Sequence, residues 1–128
     1  MVVAPDKFKG TAGASALASA IGAALVSLGH EVEVFPMADG GEGFLEALGG
    51  ANRTTTVTGP LGKSVEAGWR LAKGTAVIEM ATLCGITTVD ELDPLGAHSF
   101  GLGQVIKAVL ADARVNEVLI AVGGSAST

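Results

Sequence analysis

The sequence predicts an α/β protein in which helices are layered on both faces of a sheet, and three observations favour this class. Short β-branched and apolar runs alternate with helical stretches along the chain. Aromatic residues make up only 4% of the 128 residues, so aliphatic side chains must fill the core. Nineteen glycines mark tight turns and close backbone approaches. This combination is more typical of a layered α/β protein than of a sandwich or a barrel.

The N-terminal residues predict a strand, a helix and a second strand, as in a mostly parallel sheet. Met1–Ala4 is a short apolar run, and Glu31–Phe35 alternates charged and apolar residues, which indicates a strand with one buried face. Ala12–Leu28 predicts an amphipathic helix, and Gly29 is a good residue to end it because glycine accepts a left-handed conformation. The residues expected to face the sheet are Leu17, Ile21, Leu25 and Leu28.

The middle of the chain has a different order of predicted secondary-structure elements. Arg53–Thr58, Val65–Ala72 and Thr75–Glu79 predict three strands joined by short turns, which indicates an antiparallel meander. A helix followed by a short Gly-Gly stop is expected over Glu42–Leu48. This change of character suggests an internal domain boundary within residues 50–75.

The C-terminal third returns to helix and strand. Residues 80–92 are expected to be helical in part, and Gly101–Ala113 predicts a helix. Val115–Val122 is an apolar run that predicts a buried strand. The helix residues expected to face inward are Val105, Ile106, Val109 and Leu110.

Composition excludes several classes of protein. The net charge is −5 and no cluster of Lys or Arg is present, so the sequence lacks the basic footprint of a nucleic-acid-binding protein. The helix predicted over residues 12–28 is too polar to span a membrane. A single cysteine, Cys84, allows neither an internal disulfide nor a CxxC metal site, which favours a reducing, cytoplasmic compartment.

The first segment that carries chemistry is Ala4–Gly10, which follows the first predicted strand. It contains one carboxylate, Asp6, and two ammonium groups, Lys7 and Lys9. Open α/β sheets bind ligands at the carboxyl ends of their strands, so these groups could orient a metal and an anionic substrate. The alternative is a solvated turn.

The second segment is Ala38–Gly43, which follows the second predicted strand and opens a helix. Gly40, Gly41 and Gly43 permit a close backbone approach, and N–H groups at a helix start favour anions. Asp39 and Glu42 would repel a bare phosphate, so a bound anion implies Mg²⁺ or a lysine nearby. The alternative is a glycine-rich turn in which Asp39 is the N-cap of the helix.

The third segment is Val122–Thr128, which follows the last predicted strand. Gly123 and Gly124 supply backbone N–H groups, and Ser125 and Ser127 supply hydroxyls, that could cradle phosphate oxygens. The alternative is an ordinary turn. If the three strand ends converge on one rim, their residues suit phosphoryl transfer, which depends mainly on positioning, Mg²⁺ and positive charge.

Other candidates carry weaker signals. Glu79 ends an apolar strand, so its carboxylate needs a partner, either in a site or in a structural pair. His98 is expected in a loop, and Trp69 and Cys84 are expected in the core. Gly62-Lys63-Ser64 is rejected as a P-loop because residue 57 is not glycine and a strand, not a helix, should follow.

The chain resembles the bacterial glycerate kinase family. The resemblance is carried by APDKFKG, PMADGGEG, VTGPLG, VIEMA and VGGSAS, which occur in the family's order and extend over nearly the whole chain. It implies a fold of two α/β domains and ATP-dependent phosphorylation of glycerate, with the 2-hydroxyl favoured as acceptor.

On this hypothesis Lys7 and Lys9 hold the glycerate carboxylate or the transferred phosphate. Asp39 orients Mg²⁺ or accepts the hydroxyl proton, and Asp6 is the second candidate for that role. The remaining candidates, which would lie close to phosphates, are Gly40, Gly41, Glu42, Gly43, Gly123, Gly124, Ser125 and Ser127.

Two departures from the family pattern matter. Lys7 stands where many relatives carry Ser, and the family continues after GGSA into an Asn-Asp-Gly-Gly type of segment that does not follow Ser127 here. The chain is therefore expected to be a truncated N-terminal portion that is inactive by itself and prone to associate. The alternatives are a non-catalytic remnant and an α/β enzyme for another acidic or phosphorylated metabolite.

Overall fold

The computed structural model describes residues 1–8 and 10–127. It divides into two compact units, Met1–Asp39 and Gly40–Thr128, which we describe in turn. Residues 50–75, where the sequence suggested an internal boundary, lie inside the second unit. A domain boundary within residues 50–75 stays a prediction.

The first unit is a βαβ arrangement. Its elements are β1 (Val2–Val3), α1 (Ala14–Ser27) and β2 (Glu33–Val34). The two strands are parallel, with Val2 opposite Glu33, which confirms the parallel pairing expected for this part of the chain. Gly29 has a φ of 85° directly after the helix, which confirms the predicted helix end.

Backbone hydrogen bonds continue the parallel pairing past both short strands. The Phe35 N–H donates to the Val3 carbonyl at 2.8 Å. Two residues further along, the Met37 N–H donates to the Pro5 carbonyl at 2.9 Å. The chain therefore stays extended and paired up to the loops that carry the candidate charged residues.

Helix α1 packs through small residues instead of the predicted leucine and isoleucine stripe. Ala18 and Gly22 are its buried residues, and a Cβ added to Gly22 would lie 2.9 Å from Cγ2 of Val34. The prediction of an inward stripe is wrong for Ile21 and Leu28, which are exposed. The helix approaches the strand so closely that only small side chains fit between them. The buried face predicted for the second strand is also wrong, since both residues of β2 are exposed.

The second unit contains a four-stranded sheet in the order β3-β4-β5-β6. The first two pairings are antiparallel, which confirms the predicted meander, and β6 is parallel to β5. Its elements are α2 (Phe44–Ala47), β3 (Arg53–Thr58), β4 (Ser64–Ala72), β5 (Thr75–Glu79), α3 (Ala81–Cys84), a 3₁₀ turn (Ile86–Thr88), α4 (Phe100–Leu110) and β6 (Glu117–Ala121).

The turns of the meander match the sequence. Lys73 and Gly74 have φ values of 51° and 85°, as in the type I′ turn that suits a two-residue hairpin. Ser64 begins a strand and not a helix, which confirms that Gly62-Lys63-Ser64 is not a P-loop. None of the helices formed by the described residues is long and apolar enough to cross a membrane.

The core of the second unit lies between the sheet and α4. Val105 and Val109, four residues apart on one helix face, are both fully buried. Leu110, predicted to face inward, is exposed because it lies about 100° around the helix from Val109. The prediction that β6 is a buried strand is wrong except at Ala121. Strand β6 pairs with β5 on one side and is the last strand of the described sheet, and its Leu119 is 42% exposed.

Candidate functional site

The loops that follow β1 and β2 bring opposite charges together within the first unit. The Lys7 ammonium lies 3.4 Å from Oδ1 of Asp39 and 3.9 Å from Oδ1 of Asp6. The Lys7 backbone N–H also donates to Oδ1 of Asp6 at 2.6 Å. The structure therefore places three of the predicted residues in one cluster, which we call the charged cluster: Asp6, Lys7 and Asp39.

The topology explains why this cluster forms. Parallel strands end at the same edge of a sheet, which is where α/β folds present ligand-binding residues. Because the pairing continues to Pro5 and Met37, the next residues of both chain segments emerge side by side. Lys9 belongs to the same predicted segment, but it lies outside the described residues.

The charges of this cluster differ in exposure. The side chain of Asp39 is 69% exposed, whereas that of Lys7 is 21% exposed. An ion pair at such an exposed carboxylate contributes about 0–1 kcal/mol, so a ligand can replace one partner at little cost. The charged cluster can therefore exchange its internal contacts for contacts with an anion or a cation.

In the second unit, two glycine-rich loops meet backbone to backbone. We call residues 40–43 the GGEG loop and residues 123–127 the GGSAS loop. The Gly123 N–H donates to the Gly40 carbonyl at 2.9 Å. A Cβ added to Gly123 would lie 2.8 Å from both N and Cα of Gly41, so no larger residue fits there without movement. Two of the three predicted segments are thus in direct contact, through Gly40, Gly41 and Gly123.

The rest of the GGSAS loop is tied to the residues after α3. The Gly124 carbonyl accepts from the Ile86 N–H at 2.9 Å, and Gly124 has a φ of 74°. The two serine hydroxyls lie 2.9 Å apart, and the Ser127 N–H donates to Oγ of Ser125 at 3.1 Å. The serines therefore organise the loop itself, and a phosphate bound there would replace their mutual contact.

Glu79 holds the other end of the GGEG loop. The residue is 1% exposed, and its carboxylate accepts from the Leu45 N–H at 2.7 Å and from the Gly43 N–H at 3.3 Å. Of the two alternatives for Glu79, the structural pair is the one observed. The anion expected at the start of this helix is thus a carboxylate of the protein itself.

The alternative role of Asp39 as a helix N-cap is wrong. The N-cap of α2 is Gly43, which has a φ of 93° and no side chain. Glu42, the charged residue within the GGEG loop, is exposed. Asp39 therefore keeps its place in the charged cluster with Lys7.

Sequence reasoning missed one residue that supports these loops. Arg70 on β4 donates from Nη1 to the carbonyls of Gly49 at 2.8 Å and Gly50 at 3.0 Å, just after α2 ends. The two consecutive glycines were the available signal, since they leave free carbonyls at a helix end. Together with Glu79, Arg70 fixes both ends of α2 from the central strands of the sheet.

The remaining singled-out residues pack in the core or in loops. Trp69 is buried and donates from Nε1 to the Thr55 hydroxyl at 3.0 Å. Burial raises the pKa of the Cys84 thiol, which agrees with the packing role predicted for it. His98 lies in the loop before α4, and its ring is perpendicular to that of Phe100, with the two ring centroids 6.2 Å apart.

Comparison with known proteins identifies the family. The Glycerate kinase family profile matches residues 1–128. The glycerate 2-kinase of Escherichia coli K12 is 39% identical, and the glycerate kinase of Halalkalibacterium halodurans is 38% identical. Each alignment covers 99% of this chain and 36% of the relative.

A solved structure gives the same result. The crystal structure of a protein from Salmonella typhimurium LT2, provisionally assigned as glycerate kinase 2, superposes with a TM-score of 0.74 at 38% identity. The match covers 98% of this chain and 37% of that protein. The chain spans little more than a third of the length of the relatives it matches. The predicted resemblance is confirmed, and this chain belongs to the glycerate kinase family.

Proposed function

We propose that this chain forms part of a cytoplasmic enzyme that transfers the γ-phosphoryl group of ATP to glycerate. The observation that carries the proposal is the family match over residues 1–128, which includes every loop singled out for chemistry. The 2-hydroxyl is the favoured acceptor because the relative at 39% identity is described as a glycerate 2-kinase. The product would be 2-phosphoglycerate.

The charged cluster supplies the groups for binding anions and a metal. Lys7, together with Lys9, would hold the glycerate carboxylate or the transferred phosphate. Asp39 would orient Mg²⁺ or accept the proton of the attacking hydroxyl, with Asp6 as the second candidate. This assignment is supported by the 3.4 Å contact between Lys7 and Asp39 and by the exposure of the Asp39 carboxylate.

The available donors fit a magnesium ion that arrives with its nucleotide. Within residues 1–8 and 10–127, no group of three or more His, Cys, Asp or Glu side chains could enclose a metal. Mg²⁺ usually takes only one or two carboxylates, and substrate phosphates and waters complete its shell. Asp6 and Asp39, both beside Lys7, match that number. Bound Mg²⁺ would neutralise the charge that develops on the phosphates.

The glycine-rich loops would supply backbone groups near the phosphates. Gly40 and Gly41 touch Gly123, so their N–H and C=O groups are held in place without side chains in the way. Oriented backbone N–H groups form concave sites for anions. Gly124, Ser125 and Ser127 are the further candidates, and Glu42 and Gly43 complete the predicted set. Because the Gly43 N–H donates to Glu79, Gly43 would shape the loop and not donate to a phosphate.

The test is a coupled assay for ADP release with glycerate, ATP and Mg²⁺. It uses the full open reading frame that contains this chain and, beside it, the 128-residue chain. We expect glycerate-dependent turnover by the full frame. A ³¹P NMR spectrum of the product identifies the acceptor, because a phosphate on the 2-carbon couples to one proton and one on the 3-carbon couples to two.

Two outcomes would contradict the proposal. A folded full-frame protein without turnover on glycerate, but active on another hydroxy acid, would favour an enzyme of a different acidic metabolite. A folded protein that neither binds ATP nor releases ADP with any such acid would favour a non-catalytic remnant.

A further inference from the structure

Glu79 is a buried carboxylate for which neither the family match nor the proposed chemistry provides a role. Among the residues that the structure describes, Glu79 is the one charged residue that is buried. A carboxylate removed from water is strongly unfavourable unless hydrogen bonds replace its hydration. Both oxygens of Glu79 receive such bonds from backbone N–H groups, those of Gly43 and Leu45. The carboxylate and the loop therefore depend on each other.

Local contacts hold the GGEG loop weakly: the Phe44 N–H donates to the Gly41 carbonyl at a long 3.3 Å. Helix α2 has only four residues, which is far below the length at which an isolated helix is stable. Its N-cap is Gly43, whereas Ser, Thr, Asp or Asn at that position would cap the helix locally. The cap instead comes from Glu79, 36 residues away along the chain.

This arrangement leaves the loop free of side chains at three of its four positions and still fixes both ends. Glu79 fixes the end at Gly43, and the hydrogen bond from Gly123 fixes the end at Gly40. We propose that Glu79 is a positioning residue for the GGEG loop, holding its backbone groups where the phosphoryl transfer needs them. The inference rests on the proposed kinase function for its catalytic consequence, but not for its effect on the loop.

A purely structural cap and a positioning residue predict different measurements. Loss of a structural cap lowers the melting temperature and leaves the kinetics of the folded enzyme unchanged. Loss of a positioning contact lowers kcat in the folded enzyme, since a misplacement of about 1 Å can cost about 10²-fold.

The test compares Glu79→Gln with wild type in the full open reading frame. Gln keeps the size of Glu but offers one acceptor oxygen and no charge, so one of the two N–H groups loses its partner. We expect kcat for glycerate to fall by about 10- to 100-fold at a temperature where circular dichroism shows a folded protein. Hydrogen exchange, followed by mass spectrometry of a peptide spanning residues 40–47, should accelerate in the variant.

A matched control comes from the same unit. The Gln104 side chain on α4 accepts from the Thr58 N–H at 2.7 Å, so it also ties a helix to a backbone donor. Gln104→Met should lower the melting temperature and leave kcat and the exchange of residues 40–47 unchanged. If Glu79→Gln does not fold, Glu79→Asp replaces it as the test variant. Asp keeps the charge but has a shorter side chain, which withdraws the oxygens from the loop, so kcat should fall in this variant too.

The outcomes separate this inference from the proposed function. Wild-type kcat and wild-type exchange in a folded Glu79→Gln protein overturn the role of Glu79 while the kinase assignment stands. If wild type shows no turnover on glycerate, the proposed function fails, and exchange of residues 40–47 still decides whether Glu79 fixes the loop. Acceleration confined to the Glu79 variants supports that role, and equal exchange in all variants contradicts it.

Discussion

The two units hold their candidate groups by different means. In Met1–Asp39 the groups are charged side chains joined by an ion pair, and one partner is 69% exposed. In the second unit they are backbone groups of glycines, held by a buried carboxylate and by the hydrogen bond between Gly123 and Gly40. Exposed ion pairs rearrange at little cost, whereas loss of a hydrogen bond to the buried carboxylate of Glu79 is costly. The first unit thus offers adjustable charge and the second a fixed backbone.

The largest effect expected from this contrast is a fall in kcat when a carboxylate of the charged cluster is removed. Asp39→Asn removes the carboxylate proposed to orient Mg²⁺ or accept a proton, and loss of a general base lowers kcat by about 10²–10⁴-fold. The melting temperature should stay close to that of wild type because the side chain is exposed. Steady-state kinetics and thermal denaturation of the full open reading frame check both statements.

A matched control is available in the second unit. Asp90 is 98% exposed and lies 4.0 Å from Lys63, so Asp90→Asn also removes one carboxylate from a surface ion pair. It should change neither kcat nor the melting temperature. A well-folded Asp39→Asn protein with near-normal kcat would mean that Asp39 is not the functional carboxylate.

Much of the fold could be predicted from local patterns, because its elements obey local rules. The Lys73-Gly74 turn and the strands on either side of it follow from turn chemistry and β-branched residues, and Arg53–Thr58 has the predicted bounds. The errors arise where packing decides. The periodicity of α1 indicated an inward leucine stripe, but the close approach to β2 selects Ala18 and Gly22.

The candidate site was predictable in part for the same reason. Strand ends and glycines mark loops, and the loops that follow neighbouring parallel strands lie close together. The sequence could therefore indicate which loops carry the charged cluster and the contact between Gly40 and Gly123, but not the contacts themselves. The partner of Glu79 could not, because a hydrogen bond across 34 or 36 residues leaves no trace in local spacing. The burial of Glu79 at a strand end indicated only that some partner must exist.

The second prediction tests the contact between the GGEG and GGSAS loops. Gly123→Ala adds a methyl group 2.8 Å from backbone atoms of Gly41, which cannot move as a flexible side chain could. We expect a loss of about 1–3 kcal/mol in the free energy of unfolding, as for other overpacked sites. Chemical denaturation measures it.

Gly103→Ala is the control, because the added methyl group has no neighbour within 4 Å and lies inside helix α4. It should raise the free energy of unfolding by up to about 1 kcal/mol through helix propensity. Equal stability of the two alanine variants would show that the GGEG and GGSAS loops are not fixed by their contact.

A third, smaller effect is expected from the cation of the charged cluster. Lys7→Ala should raise the KM for glycerate by about tenfold, since a hydrogen bond to a charged group contributes about 1.5 kcal/mol. The melting temperature should change little because the Asp39 partner is 69% exposed, and ion pairs with such exposed carboxylates stabilise proteins weakly. Lys63→Ala, which removes a lysine that is 84% exposed, is the control with an unchanged KM. A large fall in the melting temperature of Lys7→Ala with unchanged kinetics would show that Lys7 is structural.

The smallest effect concerns an ion pair that is outside both groups of candidate residues. The Arg114 guanidinium donates to both carboxylate oxygens of Asp112, from Nε at 2.8 Å and from Nη2 at 2.6 Å. These side-chain hydrogen bonds lower the pKa of Asp112 from its ordinary value near 3.8 to about 2. A depressed carboxylate pKa stabilises the folded state above the unfolded value, and that contribution is lost as the pH falls through about 2.

Carboxyl ¹³C NMR titration measures the pKa of Asp112 directly, and Arg114→Gln should move it back toward 3.8. The pH dependence of kcat should be the same in Arg114→Gln as in wild type. The hydrogen bonds described for Asp112 and Arg114 join these two residues to each other and to none of the proposed functional residues. A shift of the pH–rate profile in Arg114→Gln would contradict this and would mean that charge in the turn between α4 and β6 influences the reaction.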